Sequence, residues 1–154
     1  MFNKDQGWEI CFKNKVFDSI FFFNQGISHF KQYESPLPFF LNWKLYLPQI
    51  IELLGDTTKK HGGRTPICLN YPHLGLELTF LQCSWDDPKN ILVSITLYKP
   101  EKDDKYCSVC LKRTNLNENF TCDKNCEIVN YCSKKCLELH LPCHKKHCLY
   151  KLGN

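Results

Sequence analysis

The chain has 154 residues, a formal net charge of +4, 43% hydrophobic residues and 14% aromatic residues. This composition supports a packed core rather than a disordered chain, and the length excludes a large multidomain enzyme. The strongly apolar runs at residues 20–23 and 37–41 fall far short of the roughly 20 residues that cross a bilayer, which excludes a membrane span.

The opening Met1-Phe2-Asn3-Lys4-Asp5-Gln6-Gly7-Trp8 lacks the basic and apolar regions of a secretory signal. The eleven cysteines are therefore expected to be free thiols in a reducing intracellular compartment, cytoplasm or nucleus, where they are available as metal ligands. Their distribution is uneven. Cys11, Cys68 and Cys83 are scattered over residues 1–105, whereas Cys107, Cys110, Cys122, Cys126, Cys132, Cys136, Cys143 and Cys148 crowd into residues 106–154. Charge divides in the same place, with 12 basic against 12 acidic residues before position 106 and 8 against 4 after it. The Pro-containing charged segment 99–105 reads as a solvated linker. The expected division is residues 1–99, a linker at 100–106, a cysteine-rich module at 107–148 and a tail at 149–154.

In the first part, Asp18-Ser19-Ile20-Phe21-Phe22-Phe23, closed by Asn24-Gln25-Gly26, predicts a buried strand. Pro48 ahead of Gln49-Ile50-Ile51-Glu52-Leu53-Leu54 and Gly55 after it predict a short helix. Residues 74–82 and 91–98 are rich in Leu, Ile, Val, Thr and aromatics and flank the turn-forming Trp85-Asp86-Asp87-Pro88-Lys89-Asn90, which predicts an antiparallel hairpin. The fold class expected is α+β, a small antiparallel sheet with one helix on it. The succession from Phe22-Phe23-Asn24-Gln25-Gly26 through Leu53-Leu54-Gly55 and Leu74-Gly75-Leu76-Glu77-Leu78-Thr79-Phe80 to Ile95-Thr96-Leu97-Tyr98 loosely resembles small bacterial immunity-type α+β domains, and that resemblance implies binding rather than catalysis. His29, His61 and His73 with Cys11, Cys68 or Cys83 form no recognisable nucleophile and base pair, so these residues are read as structural and no catalytic residue is assigned. His61-Gly62-Gly63-Arg64-Thr65 lacks the Lys-Ser/Thr of a phosphate loop and is read as a plain loop.

The second part is more specific. Cys107-x2-Cys110, Cys122-x3-Cys126, Cys132-x3-Cys136 and His144-x3-Cys148 make four close pairs, each half of a tetrahedral site, so the expected cofactor is two zinc ions held in closed structural sites. His140, Cys143 and His147 compete with His144 on proximity alone. Val129-Asn130-Tyr131-Cys132-Ser133-x2-Cys136, followed by His144-Lys145-x2-Cys148, resembles the MYND zinc finger over about residues 107–148. A RING-type finger would use two-residue knuckles and a histidine in mid-series. The MYND resemblance implies an interleaved pairing, with Cys107, Cys110, Cys132 and Cys136 on one zinc and Cys122, Cys126, His144 and Cys148 on the other. It also selects His144 over its neighbours. Ser133 is placed to cap a short helix through Cys136-Leu137-Glu138-Leu139, with Pro142 stopping or kinking it.

The same resemblance implies an adaptor that recruits a protein through a short proline-containing peptide, with Ser133, Leu137 and Leu141 at the groove. Leucines replace the family's usual Gln and Trp at the last two positions, which keeps an apolar surface but removes hydrogen-bonding groups. The alternative partner is nucleic acid. Seven thiolates and two zinc ions would reduce the module's formal charge to about +1, which disfavours phosphate-backbone binding. Some MYND fingers accompany SET methyltransferase domains, but residues 1–105 carry no methyl-donor signature, and no enzymatic activity is expected.

Overall fold

The computed structural model describes residues 1–101, 106–114, 120–122, 126 and 128–148. Seven strands form one antiparallel sheet: β1 (Phe2–Asn3), β2 (Trp8–Lys13), β3 (Val16–Phe23), β4 (Lys59–His61), β5 (Cys68–Tyr71), β6 (Leu76–Phe80) and β7 (Leu92–Tyr98). Their order is β1-β2-β3-β7-β6-β5-β4, so two meanders meet in the middle where β3 lies against β7, from Ser19 opposite Tyr98 to Phe23 opposite Ser94. Between the meanders the chain forms helix α1 (Leu47–Leu54).

Local chemistry accounts for these elements. The β2–β3 hairpin turns at Asn14 and Lys15, both with positive φ, as a two-residue hairpin turn that follows strand twist requires. In β6, Leu76, Leu78 and Phe80 are fully buried while Glu77 and Thr79 are half-buried, the period of two of a strand with one apolar face. Across the sheet Leu76, Leu78 and Phe80 meet Leu97, Ile95 and Leu92, and on the other side Leu78 and Leu76 meet Leu69 and Tyr71. The opposite face is polar: Tyr98 Oη donates to Asn70 Oδ1 at 2.6 Å, and Asn70 Nδ2 donates to Glu77 Oε2 at 2.9 Å. Helix α1 carries Pro48 in its first turn, Gln49 Oε1 accepts from the Tyr46 N–H at 2.9 Å, and Leu47, Ile50, Leu53 and Leu54 are buried.

The α+β class is as expected, but the sheet is larger. The expected strand at 18–23 is the inner part of β3, the helix begins two residues earlier, and β6 and β7 lie within the expected hairpin. Strands β1, β2, β4 and β5 were not anticipated from the sequence. His61 closes β4 rather than opening a loop, and 62–65 lead on toward β5.

The cysteine-rich part holds a two-stranded sheet, β8 (Phe120–Thr121) paired with β9 (Asn130–Tyr131), and helix α2 (Lys134–His147). Ser133 caps α2 as expected, its Oγ accepting from the Cys136 N–H at 3.3 Å. Pro142 does not stop the helix, which continues to His147. Pro142 lies on an exposed position, as does Glu138 four residues earlier, whose carbonyl loses its helical donor.

These two parts are not separated by a gap in packing. The buried apolar residues form one cluster that runs from the sheet through α1 to Cys107, Cys122, Cys126, Ile128, Val129, Tyr131 and Cys148. Glu101 N–H donates to Pro72 O at 2.8 Å, and Asp56 N–H donates to Ser108 O at 3.1 Å. The core of the expected linker, 102–105, and the expected tail, 149–154, lie outside the described residues. No helix among the described residues is long and apolar enough to cross a membrane.

Candidate metal centre

Helix α2 supplies three of the eight candidate ligands from one element and its end. Cys136, His144 and Cys148 follow one another at eight and four residues, so the 3.6-residue period brings them to neighbouring sides of the helix. Strand β9 leads directly into Cys132, and the turn after Tyr106 carries Cys107 and Cys110. Two groups result. The ligand atoms of Cys107, Cys110, Cys132 and Cys136 lie within 4.8 Å of one another, and so do those of Cys122, Cys126, His144 and Cys148. The second group is entirely buried, whereas the first ranges from buried Cys107 to exposed Cys110.

The spacing fits tetrahedral metal coordination. Zinc–sulfur bonds of about 2.3 Å at tetrahedral angles place sulfurs roughly 3.8 Å apart, whereas a disulfide needs about 2.05 Å. Cys132 Sγ is 3.8 Å from Cys136 Sγ and 3.4 Å from Cys110 Sγ, and Cys126 Sγ is 3.3 Å from His144 Nε2. All eleven cysteines are free. Each group is compatible with one metal ion, two in the chain.

The electrostatics of the first group favour a cation. Burial raises the Cys107 thiol, but backbone donors at Cys110, Cys132 and Val109 outweigh it and bring it down to about 7. Beside it, the Cys110 sulfur contact, with burial and the Cys107 and Cys136 sulfurs, pushes Cys132 up to about 12. Four sulfurs this close cannot all ionise on their own, and a dication allows them to do so.

In the second group an acceptor from outside fixes the imidazole. His144 Nδ1 lies 2.6 Å from the carbonyl oxygen of Leu53, 91 residues earlier in α1. A carbonyl only accepts, so Nδ1 carries the proton and Nε2 presents its lone pair to the sulfurs, as a metal-binding imidazole must. His140 and His147, the competing histidines, are otherwise engaged. His140 Nδ1 is 2.9 Å from Tyr131 Oη. Burial lowers its pKa. His147 Nε2 lies 3.1 Å from Glu52 Oε2. Cys143 belongs to neither group.

The residues expected at a peptide groove are less open than the sequence suggests. Leu137 and Leu141 are half-buried and pack against the apolar core, while Leu139 projects with 63% exposure. In the sheet, Cys68 lies across from His61. Burial, with the charge of Glu77, pushes its thiol up to about 12, the opposite of an activated nucleophile. His73 instead reaches toward the Ile128 carbonyl at 3.4 Å. The sequence reading missed the contribution of α1, whose Leu53 carbonyl carries no side-chain signal.

No family model, curated protein or solved structure matches this chain.

Proposed function

We propose that the chain is a metal-stapled adaptor, in which residues 107–148 form a MYND-like finger holding two zinc ions and recruiting a partner protein through a short, proline-containing peptide. The observation that carries the metal part is the gathering of eight donors into two sets of four. A set that fills all four tetrahedral positions leaves none for water or substrate, so the metal is structural rather than catalytic. Sulfur-rich donor sets favour zinc over calcium or magnesium, which prefer oxygen.

The peptide surface in this reading is the Ser133, Leu137 and Leu141 side of α2. Proline-containing peptides lose little conformational entropy on docking, and half-exposed leucines supply apolar contact. Binding of a proline-rich peptide panel to the zinc-loaded full chain, followed by fluorescence anisotropy, is expected to be saturable and nearly insensitive to salt. Nucleic-acid binding would instead weaken steeply with ionic strength. Leu137→Asp is expected to lower peptide affinity at least tenfold with both metals retained, whereas Leu139→Asp, on the opposite side of the helix, leaves it unchanged. Loss of binding in Leu139→Asp alone would place the partner on the other face and overturn the groove assignment.

A further inference from the structure

Helix α1 ends at Gly55 with four carbonyls that have no helical partner of their own. The Gly55 N–H satisfies Ile51 O at 2.9 Å. Two other groups of that end meet histidines on α2: the Leu53 carbonyl meets His144 at 2.6 Å, and the Glu52 carboxylate meets His147 at 3.1 Å. Residues three apart on α2 thus face the end of α1, and the first of them is a candidate metal ligand. The joint is tight. A Cβ on Gly55 would lie 2.3 Å from Ser108 Cβ and 2.7 Å from Ser108 O, and Tyr71 Oη, fully buried, donates to Gly55 O at 2.9 Å. Ser108 adjoins Cys107, so both candidate metal groups abut the α1 end, and among the described residues it is the second that takes a ligand-orienting contact from it.

We infer that the second metal site, Cys122, Cys126, His144 and Cys148, is completed by α1. The Leu53 carbonyl is a positioning group that holds the His144 tautomer and ring, and the Glu52–His147 contact holds the adjoining turn. This inference rests on the metal reading above. Its consequence is that metal affinity at the second site depends on the sheet-and-helix part of the chain, while the first site is comparatively indifferent. Conversely, metal at the second site holds α1 in place. Partners of a ligating histidine are commonly worth 10- to 100-fold in metal affinity.

The test uses the full chain loaded with cobalt, whose absorption separates an all-sulfur site from a three-sulfur, one-nitrogen site, with native mass spectrometry counting the ions. Glu52→Ala and His147→Ala are expected to speed chelator extraction of one ion, the one in the three-sulfur, one-nitrogen site, about tenfold, and to leave the other rate within twofold. His147→Gln, which keeps a donor toward Glu52, should restore most of the loss. In the wild type, extraction of the ion in the three-sulfur, one-nitrogen site should raise amide exchange in residues 47–55. Equal acceleration of both ions, or an unchanged rate at the mixed-donor site, would overturn the inference while leaving the metal reading standing. A wild-type chain that binds no cobalt at sulfur would remove the metal reading itself.

Discussion

With the two proposed metal ions bound, removing both is expected to unfold α2 and the β8–β9 pair and to loosen α1 with them. Structural zinc in small fingers is worth roughly 10–16 kcal/mol, far more than a segment of this size gains from its own apolar burial. The cluster of buried side chains that includes Cys107, Cys122, Cys126 and Cys148 is continuous with Ile50, Leu53 and Leu54, so the loss should reach the sheet side of the joint. Circular dichroism and amide exchange before and after chelation check this. The expected result is lost protection across α2 and the end of α1, with protection in β6 and β7 retained because their backbone hydrogen bonds run to each other and to β3 and β5. Acid should act like a chelator. Ligand thiols are depressed in the metal-bound protein relative to the unfolded chain, so the stability they contribute is present at high pH and is lost as pH falls and protons displace the metal.

The second large effect is expected at Gly55. Its φ of +81° and ψ of 176° lie in a region that only glycine occupies without strain, at a cost of about 1–3 kcal/mol for other residues. A side chain there also drives into Ser108, and such overpacking adds about 1–3 kcal/mol. Gly55→Val is therefore expected to destabilise the folded, metal-loaded chain by about 3–5 kcal/mol in urea unfolding. Gly63→Val is the control. It shares a positive φ but has open space around its Cβ position, so it should show backbone strain alone and a smaller loss. Equal losses at the two positions would mean that contact between α1 and Ser108 contributes nothing.

The sequence was informative where a residue's chemistry is local. The paired cysteines mark themselves by spacing, and the structure gathers the same eight donors into the same two groups that the MYND resemblance implied. Pro48, Gly55 and the apolar residues between them marked α1 to within two residues. The hairpin of β6 and β7 was legible from its branched and aromatic side chains. Strand β4 was not, because Lys59-Lys60-His61 is exposed throughout and owes its extended form to pairing with β5. Strand β2 alternates Trp8, Ile10 and Phe12 with Glu9, Cys11 and Lys13, a period-two signal diluted by the short length and by the bulge after Cys11.

Two features of the site had no local signal. The bond between His144 and Leu53 spans 91 residues and uses a backbone carbonyl, which no side-chain pattern encodes. The continuation of α2 through Pro142 carries candidate ligands from both groups on one helix, Cys136 near its start and His144 and Cys148 near its close. Propensity alone would shorten this helix at Pro142.

The most direct test of the account is to titrate the purified, metal-loaded full chain with a thiol-binding mercurial while a colorimetric indicator reports released metal and elemental analysis identifies it. Two zinc ions per chain are expected, released in step with the seven proposed ligand thiols, while Cys11, Cys68, Cys83 and Cys143 titrate without releasing metal. Fewer than two ions, or release that tracks the four remaining cysteines, would contradict it.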